Sequence, residues 1–504
     1  MNPASSSIQA LIAQAAAAWP GEPYAVDGES GQVLRHAELA ASCGRIASWL
    51  QQGGLAPGAT VSLVLPNGLQ TLRLLLGAMA AGYTVNPINL LAQPEQMRYV
   101  LEHSDAALVC VAPEWEARIR QLLASIERPI RLLVVDPAGA SLPDEPATAL
   151  DLAPLPGDRP ALLMYTSGTT GRPKGVVLSQ GALAANARAI SLEHDLGPRD
   201  RVLGVLPLYH INAFVVTMLA PLAHGGSVAM VARFSSHRFW EQVQRHACTW
   251  INLVPTMIAY LLESDVVGAP QGLRFCRSAS APLAPEQHRA FEARFGIAII
   301  ETMGLTESAA PVFSNGRTAA ERRIASVGRA SGCEACVLDR DLQPLPPGET
   351  GEIAVRGPQL MSGYYKDEAA TRSAFTADGW LRTGDLGHRD ADGFYYISGR
   401  IKELIIKGGE NIAPREIDEV LLRHPAVLDA AAVGVPDKLY GQEIAACIVL
   451  REGAVCELDD LRVFCVEHLG RYKTPKLMRF VEDLPRGPSG KVQRLKMQAI
   501  FAAD

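Results

Sequence analysis

The segment Tyr165-Thr166-Ser167-Gly168-Thr169-Thr170-Gly171-Arg172-Pro173-Lys174-Gly175 packs three glycines, four aliphatic hydroxyls and a lysine into eleven residues. Glycines without a Cβ let the backbone close around an anion, while the hydroxyls and the ammonium supply donors to phosphate oxygens. The loop follows the apolar run Ala161 to Met164 and precedes Val176-Val177-Leu178, as expected of a turn between two strands. It is not a Walker A loop, because no Gly-Lys-Ser/Thr closes a G-x-x-x-x-G frame. A second candidate, the Cys333-x-x-Cys336 pair, has no second pair at a zinc-finger spacing, since Cys447, Cys456 and Cys465 lie far apart. It is read as small residues on a strand.

These residues need a scaffold. Between about Ala59 and Val231, short apolar runs alternate with helical patterns. Thr60 to Leu65, Ala107 to Val111 and Arg131 to Val135 are strand-like, which predicts an α/β domain with largely parallel sheets. A helix is expected from Ile8 to Trp19, ending at Pro20. From Pro344 to Tyr365 the texture turns to short strands punctuated by Gly and Pro, indicating a small β-rich subdomain. After Gly399-Arg400 the chain restarts as helix (Pro414 to Leu422), strand (Ala430 to Val435), strand (Glu443 to Leu450) and helix (Leu458 to His468). The expected organisation is α/β: a large N-terminal domain over 1–400, with mixed and parallel sheets flanked by helices, and a small mobile α+β C-terminal domain over 401–504.

With 504 residues, 48% hydrophobic and 20% charged, the chain has ordinary globular proportions and enough length for more than one core. A net charge of -6 argues against a general nucleic-acid binder. The first basic residue is Arg35, so no secretory leader is expected. Apolar runs such as Leu74 to Gly82 fall short of the ~20 residues that cross a bilayer. Nine scattered cysteines suit a reducing compartment, and the cytoplasm is the expected location.

The loop resembles the phosphate-binding signature of the adenylate-forming superfamily, which comprises acyl-CoA synthetases, amino-acid adenylation domains and luciferases. Further segments resemble that family in the same order: Met303-Gly304-Leu305-Thr306-Glu307, Trp380 to Leu386 around Asp385, Ser398-Gly399-Arg400-Ile401-Lys402-Glu403, and Pro488-Ser489-Gly490-Lys491-Val492. The resemblance spans essentially the whole chain. It implies a carboxylate–CoA ligase that makes an acyl-AMP from an acid and ATP, then passes the acyl group to coenzyme A. The partners implied are therefore a small carboxylic acid, ATP with Mg2+, and CoA, in a monomer or homodimer.

The resemblance also implies roles. Glu307 is the Mg2+ ligand, Thr306 bonds the α-phosphate, and Thr166, Ser167, Gly168, Thr169, Thr170, Gly171 and Lys174 hold the outer phosphates. Ser280, Ala281, Pro282, Met303 and Gly304 lie along the nucleotide, while Asp385 and Arg400 reach the ribose. Lys491, which composition alone would leave as a surface lysine, bridges substrate carboxylate and phosphate during adenylation. A hinge at Lys402 then turns the small domain, bringing Lys407, Gly408 and Gly409 to the thiol side, with Tyr440, Tyr472 and Lys476 as further CoA contacts. His210 gates the acid, and Asn212, Val254, Thr256, Ser278 and Met303 line its pocket. The gate segment Tyr209-His210-Ile211-Asn212 has no Asp for a substrate ammonium. Arg277, the one candidate for a second substrate charge, is expected to face away. A medium-chain, branched or aromatic monocarboxylate is therefore the expected acid. The alternatives are a dicarboxylate–CoA ligase and an acyl-AMP ligase loading a carrier protein; a non-catalytic nucleotide sensor and a luciferase-like oxygenase fit less well.

Overall fold

The computed structural model describes residues 7–139, 141–166, 172–486 and 492–502. The first helix, Ile8–Ala18, is capped by the Ser7 side chain and buries Ile8, Leu11, Ile12 and Ala15. This is the i, i+3, i+4, i+7 stripe that the sequence predicts.

Among the described residues, two large sheets build the N-terminal body. In the seven-stranded sheet, Thr60–Val64 pairs in parallel with both Thr84–Pro87 and Ala106–Val111. Its strand Pro160–Thr166 turns back on Lys174–Ser179, so that Thr166 faces Lys174 across an antiparallel ladder. Those two strands place the ends of the phosphate-loop segment. In the nine-stranded sheet, Arg201–Gly204, Trp250–Leu253, Phe275–Ser278 and the start of Ala298–Leu305 run parallel. The edges are antiparallel, at Pro23–Asp27 against Val33–Arg35 and at Ala298–Leu305 against Ala310–Ser314. The expected largely parallel character thus holds at the sheet centres, where strands are buried on both faces and read as continuous apolar runs.

The β-rich part is larger than the expected span around Pro344 to Tyr365. Its four-stranded antiparallel sheet draws on Glu334–Leu338, Gly351–Arg356, Leu381–Arg389 and Tyr395–Arg400. The later strands alternate buried and half-exposed residues, which blurs their hydrophobic signal. Cys336 lies on the first of them with Cys333 just before it; both are half-buried free thiols.

Beyond Arg400 a short 3-10 turn, Ile401–Glu403, leads into a five-stranded sheet flanked by the helices Pro414–Leu422, Leu458–Lys473 and Arg494–Phe501. Two clusters of buried apolar residues lie entirely within residues 405–501. The helix Pro414–Leu422 starts with Pro at its first turn, where a missing N–H costs nothing. Among the described residues no helix is long and apolar enough to cross a membrane.

Candidate active site

The proposed phosphate side is built by two paired strands and a 3-10 turn. The two-residue strand Gly363–Tyr364 pairs with Lys174–Ser179, and the Met361 amide bonds the Glu307 carbonyl at 2.8 Å. Lys174 and Glu307 are thereby brought to the two sides of Tyr364. The Tyr364 hydroxyl donates to Glu307 Oε1 at 2.9 Å, and Lys174 Nζ stands 4.8 Å from the ring centroid. Burial, and then the adjacent Glu307 carboxylate, raise the Tyr364 pKa, so the phenol remains a donor. Ser167, Gly168, Thr169, Thr170, Gly171 and Lys491 lie outside the described residues.

Thr306 and Glu307 occupy a 3-10 turn that closes the strand Ala298–Leu305. The turn is tight for a visible reason. A Cβ on Gly304 would fall 2.1 Å from the Ala310 carbonyl oxygen, so only glycine lets the two strands approach this closely. Glu307 fits Mg2+: a single carboxylate sharing a cation with phosphate oxygens and water is the usual arrangement for that ion. Among the described residues, no cluster of three or more His, Cys, Asp or Glu could hold a metal unaided.

Asp385 and Arg400, the candidate ribose residues, face each other across a ladder, and Arg400 Nε donates to Asp385 Oδ1 at 2.7 Å. Asp385 is buried, with its backbone N–H on Thr383 Oγ1. The Asp385 charge, and more weakly that of Glu307, raise the Arg400 pKa. Asp385, Arg400 and Glu307 thus share one electrostatic neighbourhood.

The candidate acid side centres on a buried arginine. Arg277, expected to face away, is 0% exposed within the strand Phe275–Ser278. Its Nη1 donates to Asn212 Oδ1 and Asn252 Oδ1, each at 3.0 Å. The Asn212 amide continues to Ser280 Oγ at 3.2 Å. Among the described residues no carboxylate pairs with this guanidinium, its Nε lacks a partner, and burial lowers its pKa. The neighbouring Ser278 hydroxyl is buried and likewise unpartnered.

Asn212 opens an eight-residue π-helical stretch, Asn212–Leu219, buried throughout. Such widened turns are rare and favour functional sites. Ser280 is held at φ +75°, a conformation that costs a non-glycine residue energy, and Ala281 and Pro282 follow it at the surface. The His210 ring packs edge-on against Tyr209 at 4.7 Å between centroids. Val254, Thr256 and Met303 are half-buried, the first two at the start of the helix Pro255–Leu262.

The proposed CoA residues gather in the small domain, around the hairpin that joins Ile405–Lys407 to Glu410–Ile412. Gly408 and Gly409 both have positive φ, and the Gly408 amide bonds the Tyr440 carbonyl at 2.8 Å. Lys407 does not extend toward solvent. Its ammonium is buried, 2.5 Å from Glu443 Oε1, and lies over the rings of Tyr440 and Tyr472. Lys476 is exposed, 3.8 Å from Asp437. Lys402, in the 3-10 turn after Arg400, is exposed.

Sequence reasoning missed Tyr364 and Asn252, which carry no chemical signal of their own in apolar or aromatic surroundings. It also missed Glu301, buried two residues before Met303 on the same strand, with Oε2 unpartnered among the described residues and its pKa raised by burial to about 7.

The pattern of the AMP-binding enzyme family matches residues 12–365, and that of its C-terminal domain matches residues 416–491. The sulfoacetate–CoA ligase of Cupriavidus necator is 60% identical over 97% of each chain. The oxalate–CoA ligase of Arabidopsis thaliana is 35% identical over 92% of each. The crystal structure of ATP-bound MatB from Rhodopseudomonas palustris superposes with a TM-score of 0.90 at 29% identity, covering 98% of this chain and 99% of that one. Two family patterns in the family's order, together with ligase relatives spanning nearly the full length, place this chain in the AMP-binding enzyme family, as an AMP-forming carboxylate–CoA ligase that uses ATP, Mg2+ and CoA.

Proposed function

We propose that the acid is short and carries a second negative group, and that sulfoacetate is its best representative. The observation that carries this reading is the buried Arg277 guanidinium with no carboxylate partner among the described residues. An uncompensated buried charge is expensive, and an anion that binds against it relieves that cost. A sulfonate two bonds from the reacting carboxylate would meet the Asn212 amide with Arg277 directly behind it. The named substrates of the two relatives above, sulfoacetate and oxalate, share this character: two acidic groups on a two-carbon frame. A long or aromatic monocarboxylate would leave the cation unanswered, so the reading moves from the expected monocarboxylate to a short dianion, a class wider than the dicarboxylate alternative.

In this reading a carboxylate oxygen attacks the α-phosphorus of ATP and pyrophosphate leaves. Lys174 and the adjoining loop take the β- and γ-phosphate charge, Thr306 donates to the α-phosphate, and Asp385 with Arg400 fixes the ribose. Glu307 would hold Mg2+, which would supply neutralisation of the phosphate charge. Lys491 bridges the carboxylate and α-phosphate oxygens, where a preorganised donor acts on the charge that develops. His210 closes the acid entrance. The small domain, residues 401–504, then turns about Lys402, and Gly408 and Gly409 let the pantetheine arm pass. The thiol attacks the acyl carbonyl and AMP leaves.

A coupled assay of CoA-dependent AMP release over a panel of acids tests the reading. Sulfoacetate should give a kcat/KM at least about 10²-fold above acetate, hexanoate and benzoate, the scale set by leaving a buried polar group unpaired. A preference for hexanoate or benzoate would refute it.

A further inference from the structure

Two opposite charges in the phosphate site, the Lys174 ammonium and the Glu307 carboxylate, do not form an ion pair with each other. Tyr364 stands between them, its hydroxyl on Glu307 Oε1 at 2.9 Å and its ring face 4.8 Å from Lys174 Nζ. Left together, an ammonium and a carboxylate would neutralise one another, withdrawing both from the nucleotide and its cation. A phenol can hold each without neutralising either. The π face attracts the ammonium, and a neutral O–H···O⁻ bond fixes one carboxylate oxygen while leaving the other open.

The surroundings hold this ring from several directions. Tyr364 lies opposite Val176 on the ladder beside Lys174. Its N–H donates to Thr371 Oγ1 at 2.9 Å, and the following residue, Tyr365, bonds the Gly175 carbonyl at 2.7 Å. The segment also grips Glu307 by the backbone, through Met361.

We propose that Tyr364 is a positioning residue for adenylation. Its hydroxyl presents Glu307 to the cation, and its ring presents Lys174 to the phosphates. The inference rests on the roles proposed above for Glu307 and Lys174, and it assigns a separate function to each half of one side chain.

Three variants of the full-length protein separate these functions: Tyr364→Phe, Tyr364→Leu and Glu307→Gln. Calorimetric ATP titrations with and without Mg2+, and thermal denaturation of the ligand-free chains, are read alongside acid-dependent ATP–pyrophosphate exchange. Tyr364→Phe, which keeps the ring, should bind ATP normally without Mg2+. It should need about tenfold more Mg2+ for half-maximal effect, the scale of one hydrogen bond to a charged group. Tyr364→Leu should show the same Mg2+ defect and also bind metal-free ATP several-fold more weakly, because the ammonium loses its platform. Wild-type Mg2+ dependence in Tyr364→Phe would overturn the proposal. So would an equal loss of melting temperature and of both affinities in the two Tyr364 variants, which marks a purely structural role. If Glu307→Gln kept wild-type Mg2+ dependence while Tyr364→Phe lost it, the assignment of the metal to Glu307 would be the part that fails, and the route through Glu307 with it.

Discussion

Glu301 shows how a single buried residue can set the pH response of the fold. It is buried on the strand that leads to Met303; the Leu283 amide lies 3.4 Å from one oxygen, and the other has no partner among the described residues. Burial raises its pKa to about 7, against the opposing influence of Arg415 and that amide. Between the ordinary carboxylate range and pH 7 the folded chain holds a proton that the unfolded chain has released. Stability therefore falls as pH rises through this window, by roughly 3 kcal/mol for this group alone. Glu301→Gln should flatten the dependence, so wild type and variant should converge near pH 4.5 and diverge in the variant's favour at pH 7.5. Parallel denaturation curves across that range would show that Glu301 does not titrate there. At this scale the sequence revealed chemistry wherever chemistry dictates composition. The phosphate loop is legible because few other tasks need glycines, hydroxyls and a lysine together. Arg277 is only half legible. A charged residue inside the run Phe275-Cys276-Arg277-Ser278 signals something unusual, but strand alternation cannot say whether its face is covered, and here it is.

Elements were readable where local rules are strong. The helices Ile8–Ala18 and Pro414–Leu422 begin at a serine cap and a first-turn proline, and their apolar stripes fix the buried face. The π-helical Asn212–Leu219 was not readable, because a segment apolar all round has no period to detect. The antiparallel strands of the β-rich part were blurred by half-exposed residues. The glycine hairpin at Gly408 and Gly409 was visible in sequence, but what supports it was not. Lys407 anchors it through a buried pair with Glu443 and two tyrosine rings, and the Lys407 ammonium also donates to the Tyr472 carbonyl at 3.0 Å. A lysine beside two glycines reads as a ligand contact; in the fold it is buried against Glu443, where it also supports the hairpin. Lys407→Met should lower stability by about 3 kcal/mol, because Glu443 is left buried and unpaired. Denaturant unfolding monitored in the small domain measures this, and a loss below about 0.5 kcal/mol, the range of an ordinary surface change, would return Lys407 to the role of an accessible contact.

For the whole molecule, order along the chain mattered more than any one motif. The side chains gathered at the candidate site come from positions as distant as Lys174, Glu307, Tyr364, Asp385 and Arg400, and only the two sheets and the β-rich layer make them neighbours. Sequence order could announce a carboxylate–CoA ligase, since the reaction imposes the same groups on every acid. It could not announce the acid, because that choice rests on side chains that come together only in the fold. The proposed function requires that the buried Arg277 cation, which pairs with no carboxylate among the described residues, selects a second anion on the substrate. Its most direct test is the ratio of kcat/KM for sulfoacetate to that for acetate, measured in the wild type and in Arg277→Met with identical ATP and CoA. Acetate lacks the second charge, so losing Arg277 should reduce the ratio by about 10²-fold, the cost of one strong charged contact, chiefly by impairing sulfoacetate. An unchanged ratio, with both acids affected equally, would contradict the account.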